Sequence, residues 1–140
     1  MQGKLRHVAI SVPDMEKAAQ FYEKTFGFKR MKKVETGNFG HAIGLSDGVM
    51  NLTLLYFPTD ESAGDEHGKD FHGIHHIGFI VDDLVDASKE VLKNGGRLQH
   101  ALDESEKNTD LHREGFELKC RDPNGVVFDV SHGWVGTKRD

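Results

Sequence analysis

The sequence predicts an α+β fold built from two tandem copies of one βαβββ unit, and three observations carry that reading. Residues 5–14 read LRHVAISVPD and residues 74–83 read IHHIGFIVDD, an offset of 74 − 5 = 69. The offset continues without a gap, laying Met15-Glu16-Lys17-Ala18-Ala19 over Leu84-Val85-Asp86-Ala87-Ser88 and Gly27 over Gly96. In each copy a period-two alternation gives way to helical spacing and then to three further strand-like runs.

The first copy opens with a strand in which Val8, Ile10 and Val12 alternate with His7, Ala9 and Ser11. Asp14 is a good helix N-cap, and Met15, Ala18, Ala19, Tyr22 and Phe26 fall at helical spacing on a core-facing stripe. Gly27 stops the helix. Strands are expected at 29–35, 39–45 and 49–57, with Ser46-Asp47-Gly48 as the last turn. Module one is thus 1–57. The polar, acidic stretch 58–73 is its linker to module two, 74–134, and 135–140 is a tail. All of it reads as one domain, 1–140.

In the second copy Ile77, Phe79 and Val81 alternate with His76, Gly78 and Ile80. Asp83 caps a helix whose stripe is Leu84, Ala87, Val91 and Leu92, and Gly95-Gly96 ends it. Strands are expected at 97–102, 115–121 and 126–131, the last turn being Asp122-Pro123-Asn124-Gly125. The stretch 103–114 is long for a connection between strands and is placed to cover a site.

Composition narrows the function. The net charge of −5 argues against nucleic acid, which requires a concentrated basic surface. The short basic clusters Lys29-Arg30, Lys32-Lys33 and Lys138-Arg139 read as solvated strand edge and tail. No apolar run approaches the length of about 18 residues that a membrane span needs. The N-terminal MQGKLRHVAISV runs straight into a strand and leaves no room for a signal peptide, and a single cysteine, Cys120, forms no internal disulfide; the cytoplasm is the expected compartment. Phosphate-binding glycine loops, serine-hydrolase signatures and CxxC pairs do not occur.

Nine histidines direct attention to metal or acid–base chemistry. His7 and His76 occupy equivalent positions on the face of each opening strand opposite the β-branched set. In the closing run Val126-Val127-Phe128-Asp129-Val130-Ser131, Asp129 lies opposite Val126, Phe128 and Val130. A carboxylate mid-strand is costly to bury unless a metal or a cationic side chain satisfies it. The corresponding run of copy one places Asn51 and Thr53 on the cavity face, so Asn51 is a candidate fourth ligand. Two imidazoles and a carboxylate form the facial triad that holds non-heme Fe(II) with open positions, although Mn, Ni, Co or Zn would accept the same donors. His75 has the opposite parity to His76 and is expected at the surface or behind the ligands, and His132 has the wrong parity for the cavity. His41, His72, His100 and His112 are possible acid–base groups, and His112, in the long loop, is the preferred one.

Three segments carry a family resemblance: LRHVAISVPDMEKAAQFYEKTFGFKR, GIHHIGFIVDDLVDASKEVLKNGG and RDPNGVVFDVSHGW. Over nearly its whole length the chain resembles the vicinal oxygen chelate superfamily, which includes glyoxalase I, bleomycin-resistance proteins, methylmalonyl-CoA epimerase and type I extradiol dioxygenases. The resemblance implies an open half-barrel sheet around a divalent metal, helices on its outer face, and a homodimer. It places His7 and His76 at the family's histidine ligands, Asp129 at the final-strand glutamate and Asn51 at the ligand that closes module one. With Asn51 neutral, three ligands remain, which points first to an extradiol-type dioxygenase acting on a small catechol-like substrate, with Fe(II). A glyoxalase- or epimerase-type lyase or isomerase, using the metal as Lewis acid, is the alternative; a non-catalytic drug-binding resistance protein is the third.

Overall fold

The computed structural model describes residues 1–35, 40–64, 66–99 and 116–140. His100, His112, the 103–114 loop and the adjoining ends of its two flanking strands lie outside the described residues. The elements are β1 (Lys4–Ser11), α1 (Met15–Phe26), β2 (Lys29–Glu35), β3 (His41–Ser46), β4 (Asn51–Tyr56), α2 (Asp60–Ala63), β5 (Gly73–Ile80), α3 (Leu84–Lys93), β6 (Arg97–Leu98), β7 (Glu117–Arg121) and β8 (Val127–Ser131). The α+β class and the repeated βαβββ order are as the sequence predicts. The chain forms two compact units. One comprises residues 7–75 with 135–138 and 140; the other comprises 1–6, 76–134 and 139.

In the first unit the strands run in the order β2-β3-β4-β1. β1 pairs parallel with β4, placing His7 beside Asn51 and Ala9 beside Thr53. β4 and β2 pair antiparallel with β3. Parallel neighbours need a crossover, which starts here in α1. Asp14 caps that helix by accepting from the backbone N–H of Lys17, and Gly27 ends it with φ +72°, a left-handed conformation that disfavours a Cβ. Ala19, Ile43, Leu45 and Leu54 are buried at the centre, with Ile10, Val12, Met15 and Tyr22 packed around them. Phe26 departs from the expected stripe: it is exposed, its ring against Phe21 and Tyr22 at the surface. The basic run of β2 is neutralised locally, Arg30 pairing with Glu16 at 2.8 Å and Glu23 at 2.6 Å, and Lys33 with Glu16 at 3.1 Å. The linker contains a turn of helix, α2, capped by Thr59. The tail folds back on the β3–β4 turn, where Ser46 Oγ donates to the Gly136 carbonyl at 2.7 Å.

The second unit repeats the plan with the order β5-β8-β7-β6. β5 pairs parallel with β8, Gly78 beside Asp129, and β7 lies antiparallel between β8 and β6. Asp83 caps α3 through the backbone N–H of Asp86. Gly96 follows the helix where a Cβ would meet Val91 Cγ1 at 2.8 Å and the Arg121 carbonyl at 2.9 Å, so the close approach of helix end to β7 requires glycine. Val81, Leu84, Ala87, Leu118, Cys120 and Val130 form the core. Truncating a fully buried leucine such as Leu84 to alanine costs about 2–5 kcal/mol. Leu92 and Val126, both expected inside, are exposed. Val126 precedes β8 and belongs to the turn, its N–H donating to Asp122 Oδ1 at 2.9 Å.

In both units the face opposite the helix is the more tightly closed. His7, Ala9 and Ser11 are buried while Val8 and Ile10 are half-buried. His76, Gly78 and Ile80 repeat this. The polar parity of the opening strands is therefore not a solvent face.

Candidate metal centre

Asp129 sits in the middle of β8, 1% exposed. Cross-strand pairing puts Lys119 of β7 directly beside it, and the Lys119 Nζ lies 3.0 Å from Oδ1. The other oxygen, Oδ2, is buried and accepts no hydrogen bond among the described residues. His76 Nε2 lies 3.0 Å from it. His76 is itself buried, and it stands two residues before Gly78, the β5 partner of Asp129, so its side chain shares that face.

This arrangement fits a divalent ion. Two donors about 2.1 Å from one ion and at right angles to each other are about 3.0 Å apart. The His76–Asp129 separation matches both a direct ion pair and two neighbouring ligands of one ion, so these two atoms need not move apart to hold a metal. The mid-strand carboxylate meets a cationic side chain at one oxygen, Lys119 on Oδ1, and an imidazole at the other, His76 on Oδ2. Burial alone would raise the Asp129 carboxyl; the imidazole of His76 and the ammonium of Lys119 outweigh it and hold it at about 2. The carboxylate is thus ionised, as ligation requires.

In the first unit His7 is 2% exposed and Asn51 4%. His7 Nδ1 is 2.6 Å from Asn51 Oδ1, and the Thr53 hydroxyl donates to the same oxygen at 2.7 Å. The registers of the two units differ from the expected equivalence. Ala9 faces Thr53, and Gly78, 69 residues later, faces Asp129. The repeat counterpart of Asp129 is Thr53, and Asn51 stands one same-face position earlier.

Two residues not singled out from sequence share the face of Asp129. Lys119 is one. Glu117 is the other, paired across with Ser131, and it accepts from the Trp134 indole Nε1 at 2.6 Å. Glu117 is exposed at its edge, yet partial loss of water around the carboxyl, then the charge of Asp129, raise it above the usual range, against the pull of Trp134, His76 and Lys119. The alternation Glu117-Lys119-Arg121 against Leu118-Cys120 was the available signal. The remaining histidines stand apart. His75 is buried beside Phe57 and His67, with ring centroids 5.3 and 5.4 Å away. His41 packs against Tyr56, His72 is exposed in the linker and His132 is half-buried past β8.

Comparison with known proteins gives the family of the chain. The chain is 32% identical over 134 residues to the ethylmalonyl-CoA/methylmalonyl-CoA epimerase of Cereibacter sphaeroides, covering 93% of this chain and 98% of that one. It is 36% identical over 118 residues to a probable trivalent organoarsenical cleaving enzyme of Bacillus subtilis, covering 84% and 64%. Its fold is similar to that of a solved methylmalonyl-CoA epimerase bound to methylmalonyl-CoA and ammonium, with a TM-score of 0.72 at 20% identity over 99% of this chain and 100% of that one. The Glyoxalase/Bleomycin resistance protein/Dioxygenase family model matches residues 4–130, nearly the span that the repeated units occupy. The chain belongs to the Glyoxalase/Bleomycin resistance protein/Dioxygenase superfamily.

Proposed function

We propose that this protein is a metal-dependent epimerase-type enzyme that moves the proton on the carbon between a carboxylate and a thioester carbonyl, as in a methylmalonyl-CoA-like substrate. The observation that carries it is the buried pair of His76 Nε2 and Asp129 Oδ2, 3.0 Å apart. The near length-for-length likeness to an epimerase supports this reaction class over the dioxygenase. We assign His7 to the same ion, on the evidence of its equivalent repeat position, its burial and its parity. The ion supplies a Lewis acid that stabilises negative charge on substrate oxygens. Nothing in the reaction is oxidised, so Mn, Co, Ni or Zn serves as well as Fe(II).

The side chains take the other roles. Lys119 holds Asp129 by Oδ1, so that Oδ2 would be the oxygen that holds the ion. Glu117, as carboxylate, takes the proton from the acidic carbon, and the electron pair moves to the thioester oxygen. Its raised proton affinity suits that task. A second acid returns a proton to the opposite face; His112, outside the described residues, is our candidate. The reading includes a homodimer.

The likeness to the organoarsenical cleaving enzyme does not extend to a thiol chemistry here. Arsenic(III) is thiophilic, and the one cysteine, Cys120, is fully buried, its thiol pushed up to about 12 by burial and by Asp129. One observation favours the dioxygenase as a second reading: the Asn51 oxygen already receives two partners, which leaves three protein ligands and three open positions. The test is metal-loaded protein with methylmalonyl-CoA in deuterated water, beside oxygen uptake over a panel of catechols at equal loading. Deuterium entering C2 supports the epimerase. Oxygen uptake without exchange overturns it.

A further inference from the structure

Asn51 occupies the position where the family resemblance implies a metal ligand, yet its surroundings give it a different task. Strands β1 and β4 run parallel with His7 and Asn51 side by side, and both side chains are buried on one face. The Asn51 side-chain oxygen lies 2.6 Å from His7 Nδ1 and receives the Thr53 hydroxyl at 2.7 Å. An amide oxygen has two lone pairs, and these two contacts use both. An acceptor facing Nδ1 demands that Nδ1 carry the proton. A neutral imidazole protonated there has its lone pair on Nε2, the form that can ligate.

We infer that Asn51 is a positioning residue, not a ligand: with Thr53 it fixes His7 in the Nδ1-protonated tautomer and leaves Nε2 as the metal-donor atom. This rests on the assignment of His7 to the metal, but the tautomer itself exists without the metal. In the second unit Asp129 pairs with Gly78, two residues after His76. The two histidines are therefore prepared differently, His7 by an amide behind its ring and His76 by a carboxylate at its donor nitrogen.

The experiment is a long-range ¹H–¹⁵N correlation spectrum of the metal-free full chain labelled on histidine, with His7 assigned by its loss in His7→Gln. The wild type is expected to show His7 with Nδ1 protonated and Nε2 bare. Asn51→Ala should shift His7 toward the Nε2-protonated form and weaken Mn²⁺ binding by about 10- to 100-fold, the usual cost of losing a group that orients a ligand. Asn51→Asp restores an acceptor in the same place and should restore the tautomer. Thr53→Val, a milder change, should weaken the effect without abolishing it. An Nε2-protonated His7 in the wild type overturns the inference, as does an Asn51→Ala variant that loses Mn²⁺ with its tautomer unchanged, since Asn51 would then be a ligand. A correct tautomer with no Mn²⁺ binding leaves this inference standing and overturns the assignment of His7 to a metal.

Discussion

The Lys119 ammonium lies 3.0 Å from Asp129 Oδ1, and the carboxylate it tethers is 1% exposed with its second oxygen 3.0 Å from His76 Nε2. One carboxylate thus meets two nitrogens of different kinds, the ammonium of Lys119 on β7 and the imidazole of His76 on β5.

Removing the ammonium should test that arrangement. Lys119→Met keeps the aliphatic stem and deletes the charge, leaving Asp129 ionised and less compensated. Because Lys119 is itself about one-third exposed, the cost in the metal-free protein should be about 1–2 kcal/mol, less than for a fully buried pair. Added Mn²⁺ should then raise the stability of the variant more than that of the wild type, since the ion supplies the missing charge. Urea melts with and without metal check both. Equal stabilisation of the two proteins would separate Lys119 from the site.

The same carboxylate sets a pH dependence. Its folded value of about 2 lies below the ordinary 3.8, so its contribution is fully present above the ordinary value. It is lost as pH falls from there through about 2. That difference corresponds to about 2–3 kcal/mol. Metal-free wild type and Asp129→Asn should therefore converge by that amount between about pH 6 and pH 2. Parallel stability curves across that range would show that Asp129 has no depressed value.

Cys120 gives a third test. Burial first and the Asp129 charge second push its thiol up to about 12, and the side chain is fully buried. The folded protein should not react with a thiol reagent at about pH 8, and should release one equivalent on denaturation. Rapid labelling of native protein would place Cys120 at an accessible surface and reopen thiol chemistry.

What was legible in the sequence was what local rules encode. The offset of 69 gave the repeat, Asp14 and Asp83 cap their helices as expected, and within each unit parity separated the polar positions of the opening strand from the half-buried β-branched ones. What depends on long-range pairing was not legible. The parallel register of β1 with β4 is set by contacts more than forty residues apart, and it gives Thr53 the place that Asp129 holds in the other unit. Lys119 was missed because an alternating charged strand reads as a solvated edge until its neighbour is known to be Asp129. Phe26 and Leu92 continued the helical stripes numerically, but both lie at the last turn, past the core that the stripe covers. The choice of epimerase over dioxygenase had no local signal at all, because the two chemistries share the same donors.

The most direct measurement is a crystal structure of the protein soaked with Co²⁺ or Mn²⁺, with the ion located by its anomalous signal. The account predicts one ion per chain with His7 Nε2, His76 Nε2 and Asp129 Oδ2 each at about 2.0–2.3 Å, and the Asn51 oxygen still on His7 Nδ1, outside the coordination sphere. An ion held elsewhere, or one that draws in Asn51 and leaves any of those three donors unbound, would contradict it.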